Sequence, residues 1–180
     1  MMLTLITDRK IYSGDLIKRI KKLYKKDIIY QVIIREKYLN DDELFDLYKK
    51  IKSVKGLDVL VNSNINFIKK YNIDRFHLSQ KNLKSLKNNN LDNYYFGVSV
   101  HSIKETKLAL KYKPNYLLVS NVFKTSCKPS KKGKGIKLLK DIKKITNIKI
   151  VALGGIDFEN LKLLKDEDIN YVAMRSALLR

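Results

Sequence analysis

The sequence predicts an α/β chain folded as a small (β/α)8 barrel, one domain over residues 1–180, with the eighth outer helix absent or truncated. Three observations carry that prediction. Eight short runs of β-branched and apolar residues alternate with lysine-rich stretches whose apolar residues recur every three or four positions, the pattern of βα units around a parallel sheet. The glycine pair Gly154-Gly155 follows the seventh run, and no G-x-G-x-x-G follows the first. Barrels bind phosphate in the loops after strands seven and eight, whereas an open dinucleotide-binding sheet carries its glycines after strand one. Finally, Arg180 lies a few residues beyond the eighth run, which leaves space for one helical turn at most. Periodicity alone leaves an open doubly wound sheet as the alternative.

The elements follow in order. Leu3 to Thr7 is strand one, and Ile28 to Arg35 (IIYQVIIR), the most apolar run, is strand two. Leu57 to Asn62 follows the breaker Gly56, and Arg75 to Ser79 is a short fourth strand. Tyr94 to Ser99, Asn115 to Ser120 after Pro114, Ile148 to Leu153 and Ile169 to Met174 complete the set. Helices are expected at about Ser13–Lys26, Asp41–Lys52, Ile65–Tyr71, Lys81–Asn89, Ser102–Tyr112, Ile136–Ile145 and Asp157–Lys165. A missing eighth helix should leave an apolar seam on the barrel, and a second copy of the chain would cover it, so a homodimer is an expectation. The polar segment Lys124 to Gly135 (KTSCKPSKKGKG) is too long for a tight connection and reads as a functional loop.

Composition narrows the function classes. With 44% apolar and 31% charged residues the chain can bury a core and does not resemble a disordered one. Lys and Arg number 38 against 18 acidic residues, a formal charge of +20, which raises nucleic acid or a small anion as partner. Arginine, the residue suited to base readout, occurs only at 9, 19, 35, 75, 175 and 180, and the lysines are scattered without interleaved aromatics. A small-molecule phosphate is therefore the expected partner, and nucleic acid is not. Cys127 is the single cysteine, which excludes an intrachain disulfide and a multi-cysteine zinc site. A charge within the first eight residues and the lack of an ~18-residue apolar run argue against a signal peptide and a membrane span. The expected setting is the cytoplasm.

In a barrel the C-terminal strand ends share one mouth. Thr7 and Asp8 stand there after strand one, Arg35, Glu36 and Lys37 after strand two, Asn62 and Ser63 after strand three, and Gln80 after strand four. Ser99 and His101 follow strand five, Asn121, Lys124, Thr125 and Lys128 strand six, and Gly154, Gly155, Arg175 and Ser176 complete the ring. Arg35 and Lys37, two apart in an extended segment, should face the mouth together and hold an anion, with Glu36 turned the other way. Gly154-Gly155 lets backbone N–H groups approach phosphate, and Ser176 adds the second half of the cradle. His77, inside strand four, is expected to line the barrel; His101 is an acid–base candidate. Cys127 beside Lys124 and Lys128 is read as a bystander thiol. No carboxylates cluster at the strand ends, so no metal site is expected.

Several blocks occur in a recognisable order: Leu5-Ile6-Thr7-Asp8, Ile34-Arg35-Glu36-Lys37, His77-Leu78-x-Gln80, Gly97-Val98-Ser99-Val100-His101-Ser102, Val122-Phe123-Lys124-Thr125-x-Cys127-Lys128, Gly154-Gly155-Ile156 and Ser176-Ala177. Across nearly its whole length the chain thus resembles the thiamine phosphate synthase and TenI family. The resemblance implies a TIM barrel that binds a thiazole or thiamine phosphate at the Gly-Gly and Ser-Ala loops. In the synthase branch it implies a pyrimidine diphosphate held with Mg2+ by a glutamine and two aspartates, positions occupied here by Ile33, Ser63 and Asn82. The TenI branch, thiazole tautomerases, matches the Val122 to Lys128 wording, although its proposed acid–base histidine is Asn121 here. The expectation is a TenI-like protein of thiamine metabolism that needs no cofactor, with Glu36, His101 and Asn121 at the reacting centre. Anion binding falls to Arg35, Lys37, Asn62, Gln80, Ser99, Thr125, Lys128, Gly154, Gly155 and Ser176. The alternatives are a thiamine phosphate synthase, the one case that would call for Mg2+, and a non-catalytic phosphate-binding or regulatory relative.

Overall fold

A computed structural model of the chain describes residues 1–86, 90–124, 133 and 135–179. Eight parallel strands, β1 (Met2–Ile6), β2 (Gln31–Ile34), β3 (Asp58–Asn62), β4 (Arg75–Leu78), β5 (Tyr95–Val100), β6 (Tyr116–Val119), β7 (Lys149–Leu153) and β8 (Tyr171–Met174), pair in sequence order. β8 returns to β1 through Leu3 opposite Val172 and Leu5 opposite Met174, which closes the sheet and removes the open-sheet alternative. Between them lie α1 (Leu16–Lys25), α2 (Asp41–Lys52), α3 (Ile65–Lys70), α4 (Gln80–Lys84), α5 (Ile103–Leu110), α6 (Gly135–Lys143) and α7 (Leu161–Lys165), and α8 (Ser176–Leu179) ends the described chain.

Strand side chains alternate between two apolar layers. Ile6, Ile33, Leu60, Tyr116, Leu118, Val151 and Ala173 pack together as one layer. Their sequence neighbours Leu5, Val32, Ile34, Val59, Leu117, Ala152 and Val172 join the helices in the other, larger one. Both faces are thus buried, and that is why runs such as Gln31–Ile34 carry almost no alternation. A polar chain runs across the N-terminal half of the sheet. The Thr4 hydroxyl donates to the Gln31 Oε1 at 3.0 Å, Gln31 Nε2 donates to Asp58 at 2.7 Å, and Arg75 grips the same carboxylate with two N–H groups at 2.7 and 2.9 Å.

Several helices start on side-chain caps that sit at strand ends. Asn64, Ser79 and Ser102 each accept a hydrogen bond from a backbone N–H in the first turn of α3, α4 and α5, satisfying donors the helix cannot. Asn40 and Glu43 form a full capping box on α2.

Four details depart from the expected boundaries. Strand two begins at Gln31 and not at Ile28, because α1 ends in a turn with Asp27 at φ 52°, whose N–H and that of Ile28 bond back to Tyr24 and Leu23. Helix α7 begins at Leu161 and not at Asp157: Asp157 Oδ1 takes the N–H groups of Glu159 and Asn160 and holds a turn instead. Helix α4 ends at Lys84, and residues 87–89 of the expected longer helix lie outside the described residues. The exposed seam beside β8 is not seen: Val172 and Met174 are buried, and so are Leu178 and Leu179 on the single turn α8, where Arg19 Nε of α1 donates to the Leu178 carbonyl at 2.9 Å. One turn suffices because two consecutive leucines pack inward. Among the described residues no helix is long and apolar enough to cross a membrane.

Candidate functional site

A cavity of about 520 Å3 opens at the C-terminal ends of the strands. Parallel closure alone dictates its membership: every strand delivers its last residues to the same end. Arg35, Ser99, His101, Asn121, Gly154, Gly155 and Ser176 all line it, as the sequence led one to expect. So do Lys124 and Arg175, also expected at the mouth, and Asp157. Glu36, Lys37, Asn62 and Gln80 are not among its lining residues. Thr125, Lys128 and Cys127 lie outside the described residues.

Those four have other surroundings. Lys37 is exposed and Asn62 half-buried at the end of β3. Glu36 is buried, and its Oε2 accepts the Arg9 N–H at 3.0 Å, which ties the loop after β1 to the end of β2. Gln80 Nε2 donates to the Ser99 carbonyl at 2.8 Å and so holds the end of β5 from outside the cavity.

The two glycines shape one wall. Gly154 and Gly155 have φ of 106° and 65°, a region that L side chains rarely adopt. A Cβ on Gly154 would lie 2.7 Å from Asn121 Cβ, and one on Gly155 would lie 2.3 Å from the Lys124 carbonyl oxygen. The segment after β6 docks on this backbone, with Val122 N donating to Leu153 O at 3.0 Å and Phe123 N to Gly154 O at 2.8 Å. Since α7 starts only at Leu161, the pair acts through its own backbone and through this close approach, and not as the start of a helix.

Positive charge gathers after β8 and β2. Arg35 is half-buried, and its pKa is lowered, first by burial and then by the neighbouring charge of Arg175. Arg175 Nη1 donates to Asp8 Oδ2 at 2.9 Å, and the Asp8 side chain is only 9% exposed. Below Ser99 lies His77, fully buried, with Nε2 2.7 Å from the Ser99 hydroxyl and Nδ1 2.9 Å from the Tyr116 hydroxyl. Burial, followed by the charge of Arg35, pushes its pKa down to about 3, so the ring is neutral at physiological pH. His101, at the rim, holds Glu105 Oε2 with Nδ1 at 2.9 Å.

Sequence reasoning placed Arg175 at the mouth without giving it a binding role, and did not single out Tyr116. For Arg175 a signal existed, since it is one of six arginines and directly precedes Ser176 after the eighth strand. For Tyr116 none did: the register sets His77 and Tyr116 on either side of Gly97 of β5, and the missing side chain there lets the phenol pass over to the imidazole.

The residues present do not suit a magnesium ion. Ser63, just after β3, and Asn82, in α4, are neutral, and Asn82 Nδ2 donates to the Ser63 carbonyl at 2.9 Å. Magnesium is held through carboxylates and phosphate oxygens. Asp8 is paired with Arg175, Glu36 accepts the Arg9 backbone N–H on Oε2 alone, and among the described residues no three His, Cys, Asp or Glu side chains cluster as ligands.

Comparison with known proteins places these features. The family model described as thiamine monophosphate synthase matches residues 3–178. The chain is 33% identical over 163 residues to a putative thiamine-phosphate synthase 2 of Aquifex aeolicus, covering 88% of this chain and 87% of that one. It is 30% identical over 185 residues to the thiamine-phosphate synthase of Clostridium tetani, covering 98% and 87%. A solved thiamine phosphate pyrophosphorylase from Pyrococcus furiosus superposes with a TM-score of 0.82 at 22% identity, over 98% of this chain and 86% of that one, a likeness of fold.

Proposed function

From the premise that this chain belongs to the thiamine monophosphate synthase family, we propose that it makes thiamine phosphate by joining a pyrimidine methyl diphosphate to a thiazole phosphate. The observation that carries this reading is the chemistry of the cavity lining. Arg35, Arg175 and Lys124 offer positive charge, Ser99, Ser176 and the Gly154-Gly155 backbone offer neutral donors, and Asn121 stands where a tautomerase would carry its proton-shuttling histidine. Such a lining suits a reaction limited by charge, not by proton transfer.

In the proposed reaction the ring nitrogen of the thiazole attacks the methylene carbon of the pyrimidine. The C–N bond forms as the C–O bond breaks, and the diphosphate leaves with the bonding electrons. No proton has to move for this exchange. What the protein must supply is placement of two anionic substrates and stabilisation of charge growing on the leaving oxygen, terms that preorganised donors in a partly desolvated site provide. The glycine pair and Ser176 would hold the thiazole phosphate, and Arg35 the diphosphate. Arg35 is already half-buried and therefore lightly hydrated, which strengthens its interaction with an anion.

A tautomerase is the second reading, favoured by one observation: His101, backed by the Glu105 carboxylate, lines the same cavity and could carry a proton. The two are separated by substrate. Purified protein given the pyrimidine diphosphate and the thiazole phosphate should release thiamine phosphate and pyrophosphate in equal amounts, with Arg35→Met slower by about 100-fold or more. Absence of product above the buffer rate overturns the synthase reading. Acceleration of aromatisation of the carboxythiazole phosphate, lost in His101→Ala, would establish the tautomerase in its place.

A further inference from the structure

We propose that Arg175 is a diphosphate-binding residue which, with Arg35, allows this site to hold a diphosphate without a divalent cation. The inference rests on the reading of the cavity as a diphosphate site and goes beyond it by naming what replaces the metal.

The first support is position. Arg175 follows β8 directly, and β1 lies between β8 and β2 in the closed sheet, so Arg175 and Arg35 flank the end of β1 from either side. Both line the cavity. They are close enough that the charge of Arg175 is the second largest cause depressing the Arg35 pKa. Two guanidinium groups converging on one opening repel each other while it holds only water. A multiply charged anion between them converts that repulsion into attraction to a shared partner.

The second support is orientation. Asp8, nearly buried, accepts Arg175 Nη1 on Oδ2 at 2.9 Å and the Lys10 backbone N–H on Oδ1 at 3.2 Å. This contact anchors one N–H edge of the guanidinium beside the cavity. The group carries five N–H donors in a rigid fork, and such a fork matches two phosphoryl oxygens at once. Asp8 offsets part of the Arg175 charge, and Asp157, whose Oδ1 takes the N–H groups of Glu159 and Asn160, lines the cavity too, so Arg35 and Lys124 supply the positive excess beside Arg175.

The third support is the donor set just after β3 and in α4. Ser63 and Asn82 bring no charge, and the Asn82 amide is turned onto the Ser63 backbone. A diphosphate needs its charge neutralised before it can depart. Among the described residues the positive groups that line the cavity are Arg35 after β2, Arg175 after β8 and Lys124 after β6.

The test is calorimetric titration with inorganic pyrophosphate, in EDTA and again in millimolar magnesium. The expected result is binding in EDTA with an affinity that magnesium changes by no more than about twofold, and a loss of about tenfold or more in Arg175→Met, the range of a charge-assisted hydrogen bond. Arg175→Lys should recover only part, because an ammonium is a point charge and not a fork. Asp8→Asn provides the structural control: it breaks the ion pair but leaves Arg175, so melting temperature should fall while pyrophosphate affinity drops far less than in Arg175→Met. Equal affinity of wild type and Arg175→Met, an equal drop in Asp8→Asn and Arg175→Met, or binding that requires magnesium overturns the inference. Pyrophosphate binding in EDTA is read without turnover, so failure to make thiamine phosphate with this binding intact removes only the functional reading.

Discussion

His77 Nε2 stands 2.7 Å from the Ser99 hydroxyl, which joins a fully buried, neutral imidazole to a side chain that lines the cavity. On the other side of the ring the Tyr116 hydroxyl lies 2.9 Å from Nδ1, and burial holds the pKa of that phenol well above its ordinary value. A phenol that keeps its proton is suited to donate it to Nδ1, leaving Nε2–H to donate to Ser99 and the Ser99 hydrogen to point at a ligand. Nitrogen-resolved NMR of the imidazole should therefore show the proton on Nε2. A proton on Nδ1 would reverse the chain and make Ser99 an acceptor.

The same histidine makes stability depend on pH. Its folded pKa is about 3, below the unfolded value of 6.5, so below pH 6.5 the unfolded chain takes up a proton that the folded chain refuses. Its contribution is fully present above pH 6.5 and is lost as pH falls towards 3, at about 1.4 kcal/mol per pH unit. Urea titrations of wild type and His77→Gln between pH 7 and 4 should show this slope as the difference between the two. Parallel curves would mean that His77 accepts a proton inside the fold.

Gly155→Ala should cost about 2–4 kcal/mol, because the new Cβ meets the Lys124 carbonyl at 2.3 Å in addition to adopting φ 65°. Gly135 has a similar φ of 69° but nothing within 4 Å of its hypothetical Cβ, so Gly135→Ala should cost only the backbone part, about 1 kcal/mol. Chemical denaturation of both variants isolates the close approach; equal losses would show that the docking of the Lys124 segment on the glycine pair is loose.

Glu36→Gln should leave turnover within about threefold of wild type, since a glutamine oxygen can still accept the Arg9 N–H that Glu36 Oε2 takes at 3.0 Å. Glu36→Ala loses that tie and should be destabilised by about 1–3 kcal/mol. If the glutamine variant alone abolishes turnover while melting normally, Glu36 carries a proton after all, as the sequence suggested.

At the opposite end of the barrel, Arg75→Met removes two hydrogen bonds to Asp58, whose side chain is 24% exposed. Partial exposure screens the pair, so the expected loss is about 1–3 kcal/mol and not the larger value of a fully buried pair. Pyrophosphate affinity should not change, because the cavity lies at the other end. A coupled loss of affinity would mean that the two ends communicate.

The barrel was legible because its evidence is local and repeated: each strand announces itself by apolar content, each helix by its period, and a glycine pair after the seventh strand points to one end of the sheet. Much of the cavity lining was legible for the same reason, since parallel strands must send their last residues to a common mouth. Boundaries at Gln31 and Leu161 were not, because side-chain and backbone hydrogen bonds of Asp27, Asp157 and their neighbours decide them.

Sequence alone thus determined the alternation, the strand order's direction and the set of residues delivered to the mouth, all of which follow from period and chain order. Only the tertiary structure decided which of those residues look inward. Glu36 turned out to fasten a loop, Arg175 entered beside Arg35, and Tyr116 reached His77. The reason is that a side chain's partner across a closed sheet is set by register and ring closure, quantities that no stretch of neighbouring residues encodes by itself.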